Sequence, residues 1–319
     1  MLKMRALLIA TTVIAILLSG CIGEDGKDEY PDVDRESKLP TDIEKRTPSS
    51  DQHPPILHSD EYEGPVPLPY PINTAGAEDS PFVLPNGSAL YFFFTPDVRV
   101  PPEKQLLDDV TGVYVSQYVS GSWQRPERVW LEDPGKLSLD GAVSVQGDEM
   151  WFASAREGYT GVNLFTARME DGRWTDWKYA GDRLMKEYQT GEVHLHMDEL
   201  YFHSPRAGGK GGNDIWMTER STGEWSEPVN IGAVNSPEND GYPYISSDGQ
   251  ELWFTRTYMG TPAILRSLKV NGSWSEPEMI VSQFAGEPAL DDEGNLYFVH
   301  HYYEDNEMIE ADIYAAYRK

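Results

Sequence analysis

"SPRAGGKGGNDIWMTERSTGEWSEPVNIGAVNSPENDGYPYISSDGQELWF", residues 204–254, holds one full copy of the unit that organises this 319-residue chain. Its run Gly208-Gly209-Lys210-Gly211-Gly212 invites a nucleotide reading. A phosphate loop, however, needs a helix after it and a Ser or Thr after its Gly-Lys. Here Lys210 is followed by Gly211, and the next element is "DIWMTE", residues 214–219, with the composition of a strand. The glycines are read as a strand-to-strand connection, where they permit backbone angles that other residues resist.

Three marks from this stretch recur along the chain. The first is an aromatic pair after Leu or Met, ending at Phe92, Phe152, Phe202, Phe254 and Phe298, with spacings of 60, 50, 52 and 44. The second is a strand start ending at Tyr114, Phe165, Trp216, Leu265 and Tyr314, spaced 51, 51, 49 and 49. A Trp opens the next strand at Trp123, Trp174, Trp225 and Trp274. Turn signals such as "PNGS", "SDGQ", "EDGR" and "VNGS" separate the marks, so each unit reads as four short strands joined by tight turns. No stretch of helical period and length competes. Four strands in about 50 residues is the arithmetic of a β-propeller blade.

The fifth unit stops at "DIYAAYRK", residues 312–319, one strand short. That strand is found at the other end of the chain. "YEGPV" at 62–66 aligns with "WSEPV" at 225–229, and "INTAGAEDSP" at 72–81 aligns without gaps on "VNSPENDGYP" at 234–243. The expected fold is all-β: a five-bladed propeller of four antiparallel strands per blade, its last blade closed by residues 62–73, which leaves no open sheet edge.

"SPRAGGKGGNDIW", "WSEPVNIG" and "DGYPYISSDGQELWF" resemble the TolB-type, WD40-like propeller repeat, closely over the third and fourth units and partially over the others. The resemblance implies architecture. It does not imply an activity, because such propellers serve binding proteins, protease accessory domains and surface scaffolds alike.

Charge and the N-terminus place the chain. With 26 Lys+Arg against 53 Asp+Glu, the formal charge of -27 repels nucleic acid and anionic head groups. Lys3 and Arg5 precede an apolar run, Ala6 to Leu18, short for a bilayer span but suited to an export signal. "LSGC", residues 18–21, resembles the lipobox of exported lipoproteins, which implies cleavage before Cys21 and lipidation of its thiol. An uncleaved anchor is the alternative, and either puts the remainder outside the cytoplasm. Cys21 is the only cysteine, so no internal disulfide forms. The domains expected are a signal peptide at 1–20, a lipidated Cys with an acidic, Pro-rich tether at 21–60, and the propeller at 61–319.

Carboxylates gather near the start of each innermost strand: Glu78, Asp79, Asp140, Glu192, Glu238, Asp240 and Glu287. Asp79, Asp140, Glu192, Asp240 and Glu287 are candidates for an axial ring that binds a cation or a sugar. Asp79, Asp140 and Glu192 are the alternative catalytic set, since five-bladed glycosidases resemble such a layout. Taking Pro81, Ala142, Glu192, Pro243 and Pro288 as equivalent puts Asp79 and Asp140 in one column and scatters the rest. Glu192, His194 and His196 alternate on one strand face and form the alternative zinc set; interblade packing is the other reading. Arg156, Arg206 and Arg256 read as loop-capping or ion-pairing groups. Two insertions, residues 95–112 and 300–312, fall on one rim of neighbouring blades, and Tyr302 and Tyr303 within "HHYYED" are candidate contact residues. Asn86 and Asn271 fit the N-glycosylation acceptor, though Asn-Gly is equally a hairpin turn. No cofactor is expected. The function expected is binding of a partner protein or glycan by a lipid-anchored, outward-facing propeller; the alternative is a glycoside hydrolase.

Overall fold

The computed structural model describes residues 30–181 and 191–319; Cys21 and the expected signal peptide lie outside them. The chain divides into residues 1–31 and Asp32–Lys319, and the second unit contains every element below. Its described residues are all-β apart from two single-turn helices, Arg35–Lys38 and Pro102–Gln105. The expected repeat is present as antiparallel sheets in chain order. One has four strands between Ser138 and Tyr179, one five between Val193 and Asn230, and one six, built on Asp240–Ser282. A nine-stranded sheet joins strands from both ends of the chain.

That joint depends on the terminal segments. Val66–Pro67 pairs antiparallel with the last strand, Glu307–Ala316, through Val66↔Ala315 and Pro67↔Tyr314. On its way to the next strand the chain also places Ala77 beside Ala311 in a parallel bridge. Asn73 fixes the geometry: its Oδ1 accepts from Ile313 N at 3.0 Å and its Nδ2 donates to Ile313 O at 2.9 Å. Asn235 clasps Ile215 in the same way, at 2.8 and 2.9 Å. The gapless alignment of 72–81 on 234–243 thus has a physical basis: the same side chain makes the same backbone clasp.

The aromatic marks build the core. Phe92, Phe152, Phe202, Phe254 and Phe298 are all fully buried. Five leading strands, Ala77–Val83, Ser138–Gln146, Val193–His196, Asp240–Ile245 and Ala285–Leu290, lie each against the next, and the last lies against the first. Sheets arranged about a common axis in this way make a β-propeller.

Residues 32–60 depart from the expected tether. They pack on the sheets instead of standing free in solvent. Arg35 is 4% exposed and donates to Glu78 Oε1 at 2.9 Å. Lys45 meets Glu310 and Asp312, and Asp51 meets His300 at 2.8 Å. Ile56–Leu57 then adds a strand to the outer edge of Glu278–Ser282. The three side-chain contacts each bring an opposite charge or a hydrogen-bond partner to a buried polar group. The segment from 300 to 312 also differs from expectation: it is no loop but the extension of a hairpin, Leu296–Glu304 against Glu307–Ala316.

Candidate functional site

Four leading strands carry a bulge at the same place, where the ladder skips between Asp79 and Phe82, Gly141 and Ser144, Gly241 and Tyr244, and Gly286 and Ala289. The residue inside each bulge is left-handed although it is not glycine: Ser80 (φ 48°), Ala142 (φ 51°), Tyr242 (φ 53°) and Glu287 (φ 57°). A bulge of this kind re-aims a side chain out of the ladder. These residues and Glu192 surround an axial cavity of about 30 Å³, which they share with Pro81, Pro243 and Pro288.

The structural register differs from the sequence-based one. Pro81, Pro243 and Pro288 match Val143 and Val193, one position later in the second and third units than expected. Ser80, Ala142, Glu192, Tyr242 and Glu287 consequently form the axial column. Glu78, Asp140 and Asp240 form a separate, buried column, and each is engaged by an arginine. Asp140 accepts from Arg156 Nη2 at 2.8 Å and Ser154 Oγ at 2.6 Å. Asp240 accepts from Arg256 Nε at 2.6 Å and Ser236 Oγ at 2.8 Å. Asp140 and Asp240 are therefore structural and do not join an axial ring. Arg156 and Arg256 thus pair with the leading strand of their own unit, and each also caps a loop carbonyl, Leu131 O at 3.0 Å and Val234 O at 2.5 Å.

Three of the expected acids do converge. Ser80 Oγ donates to Glu192 Oε1 at 2.9 Å, and Ser80 N donates to Glu287 Oε2 at 3.0 Å. Asp79, Glu287 and His301 each offer one ligand atom within 4.8 Å of the others. Burial and then the Asp79 charge push the Glu192 carboxyl up to about 8, against the opposing Ser80 hydroxyl. Glu287 is raised well above the ordinary range by burial, Asp79 and Glu192, and Tyr242 is raised chiefly by Glu287. Like charges held close in a poorly solvated site have this effect.

The alternative zinc set does not form. His194 is buried against Tyr244, with centroids 4.2 Å apart, and against Phe82, and burial lowers it to about 3. His196 faces Ser247 O at 3.3 Å. Among the described residues the group with metal-ligand geometry is Asp79, Glu287 and His301, a set of hard oxygen donors and one imidazole suited to a divalent cation. His301 carries no sequence signal of its own, because only the extended hairpin Leu296–Glu304 against Glu307–Ala316 brings it beside Asp79.

Beside Asp79 a second cleft, of about 320 Å³, opens between the two insertions. Val98, Pro101 and Pro102 come from the first insertion, and Met308 and Ala311 from the second. The two insertions therefore do share a rim. Tyr302 takes no part: it is 2% exposed, and its hydroxyl bonds Tyr314 at 2.8 Å. Tyr303 stacks on Phe284 at 4.4 Å and does not line the cleft. The glycine run binds its own chain, for Lys210 N and Gly211 N donate to Asp214 at 2.9 and 3.1 Å. Asn271 (φ 50°) and Gly272 (φ 80°) form a left-handed turn pair, and Asn86 caps its turn by accepting from Ser88 N at 3.0 Å.

No family model and no curated protein matches the chain. Solved structures do resemble it. TolB from Acinetobacter baumannii is 13% identical with a TM-score of 0.44, the match covering 78% of this chain and 56% of that one. Xyloglucan PUL GH43B of Bacteroides ovatus is 14% identical with a TM-score of 0.48, covering 78% and 53%. An endo-arabinase from Bacteroides thetaiotaomicron is 15% identical with a TM-score of 0.47, covering 76% and 94%. The chain spans little more than half the length of the first two. The propeller architecture rests on the strand pairing above, and these likenesses assign no activity.

Proposed function

We propose that the chain is a lipid-anchored, outward-facing propeller of five blades that binds a partner protein or a glycan without transforming it. The nine-stranded sheet is read as two blades, the first and the last, bridged at Ala77 and Ala311. The mutual contacts of the five leading strands support the same count. The observation that carries the binding reading is the cleft of about 320 Å³, walled by proline and apolar side chains with the Asp79 carboxylate beside it. Pockets of this size and lining suit a short segment of peptide or sugar.

A second reading, glycoside hydrolysis, is favoured by one observation. Glu192 is held near 8 and Glu287 is raised, and a carboxyl that keeps its proton near neutral pH can serve as a general acid. Space weighs against it, because the axial cavity of about 30 Å³ holds roughly one water and no sugar ring.

The test is a peptide and glycan binding screen on the intact protein and its Asp79→Asn variant, with released sugar assayed in parallel. Saturable binding lost in the variant, with no sugar released, is expected. Turnover abolished by the substitution would replace binding with catalysis. For the anchor, Cys21→Ser is expected to move the protein into the soluble fraction; unchanged membrane association refutes lipidation.

A further inference from the structure

At the opposite end of the strands that carry Asp79 and His301, turns at the two ends of the nine-stranded sheet leave a third cavity, of about 430 Å³. Four aromatic side chains line it: Tyr118 and Trp123 from the hairpin at one end of that sheet, Tyr297, and Tyr317 near the C-terminus. Tyr118 and Trp123 meet at 4.9 Å with their planes at 57°, forming a corner rather than a flat platform. Tyr118 and Tyr317 are 47% and 43% exposed, so their faces are open to a ligand.

The polar lining is of one sign. Asp291 is held rigidly: it accepts from Glu293 N at 3.0 Å, Asn295 N at 3.0 Å, Asn295 Nδ2 at 2.9 Å and Tyr297 Oη at 3.3 Å. All four donors are neutral, so its charge stays uncompensated by any cation. Glu293 stands next to it, and no Lys or Arg lines the cavity. Arg318 packs against Gly294 of this turn but does not line the cavity, and its guanidinium donates to Glu61 at 3.0 Å. Aromatic faces together with fixed carboxylates and no competing base attract a cation that also has an apolar skin. A small hydrated metal ion gains little from ring faces, and a neutral sugar leaves the carboxylates without a partner of opposite charge.

We infer that this cavity is a binding site for an organic cation of the alkylated-ammonium type. It is separate from the axial carboxylates and from the cleft between the insertions, and it stands whether or not the binding function proposed above does.

The probe is tetramethylammonium chloride, followed by saturation-transfer NMR on its methyl protons in the presence of the intact protein, at constant ionic strength. Saturable binding is expected, displaced by choline but not by sodium chloride or a neutral disaccharide. Tyr118→Ala and Tyr317→Ala remove exposed rings and are expected to weaken binding at least tenfold with melting temperature unchanged. Glu293→Gln is expected to weaken it several-fold. Displacement by sodium chloride would reduce the site to diffuse surface charge. Displacement by the disaccharide would make it a sugar platform, and equal affinity in both tyrosine variants would place the cation elsewhere. Each of these three results overturns the inference.

Discussion

Glu192 lies in the axial column with a proton affinity that burial and then the Asp79 charge force upward, from an ordinary value of 4.5 to about 8. The native state therefore keeps a proton that the unfolded chain has released, so this residue's contribution to stability falls as pH rises between those two values. Glu192→Gln removes the liability while keeping an acceptor for Ser80 Oγ. The variant is expected to match the native protein at about pH 4 and to exceed it by roughly 4–5 kcal/mol at about pH 8.5, read from urea melts at both pH values. A variant that gains nothing at the higher pH would mean that Glu192 is solvated or bound to a cation. The site was half legible at this scale. Asp79, Glu192 and Glu287 were found because acids near strand starts are conspicuous. Their column was misplaced because the second and third units carry Val143 and Val193 where the others carry proline. A better signal is the glycine just before the axial residue, Gly141, Gly191, Gly241 and Gly286, which marks the position in four of the five units whatever residue follows it. The bulge residue itself gives none, since Ser80, Ala142, Tyr242 and Glu287 are not the types that φ values near 50° favour.

Among the elements, the segment from residue 32 to 60 shows where composition misleads. It has no apolar period because only isolated residues, Val33, Leu39 and Leu57, reach the core, and its other contributions are single polar side chains set into sites already built by the sheets. Ala89–Thr95, the second strand of the first unit, has no arginine to meet Glu78, and Arg35 supplies one across 43 residues of sequence. The guanidinium also lies 5.2 Å from the Phe92 centroid and 4.9 Å from that of Phe94. In the second unit Arg156 does the same for Asp140 while lying 5.2 Å from the Phe152 centroid. Removing one member of a buried pair leaves an uncompensated charge, so Arg35→Ala is expected to cost about 3–5 kcal/mol in urea unfolding. Adding Glu78→Gln to that variant is expected to recover part of the loss, since an amide bears burial beside Thr74 better than a carboxylate does. If the single variant melts like the native protein, the segment is dispensable and the composition-based reading of it was sound.

For the whole molecule, the decisive contacts are those between its two ends. The chain is long in sequence but closes on itself: Tyr62 bridges Arg318, Val66 pairs with Ala315, and Leu68 N donates to Ile313 O at 2.8 Å. This was the most legible large-scale feature, because a missing strand at one end and an orphan strand at the other share a recognisable motif. Closure is not a local preference, since a two-residue strand such as Val66–Pro67 has no stability of its own. Its stability comes from giving the edge of Glu307–Ala316 a partner, and an unpartnered edge of that length is a template for other chains. Deleting residues 62–73 while retaining the rest is therefore expected to yield dimers and larger species in size-exclusion chromatography with light scattering. Asn73→Ala tests the same closure more gently: it leaves Ile313 N and O without their side-chain partner inside the protein and is expected to cost about 1–3 kcal/mol. Asn235→Ala serves as its control, because the equivalent clasp there joins parts of one sheet that are contiguous in sequence. Both substitutions are expected to lower stability, but only Asn73→Ala is expected to raise the population of oligomers on mild heating. Equal oligomerisation in the two would show that the ring is held elsewhere than at its terminal seam.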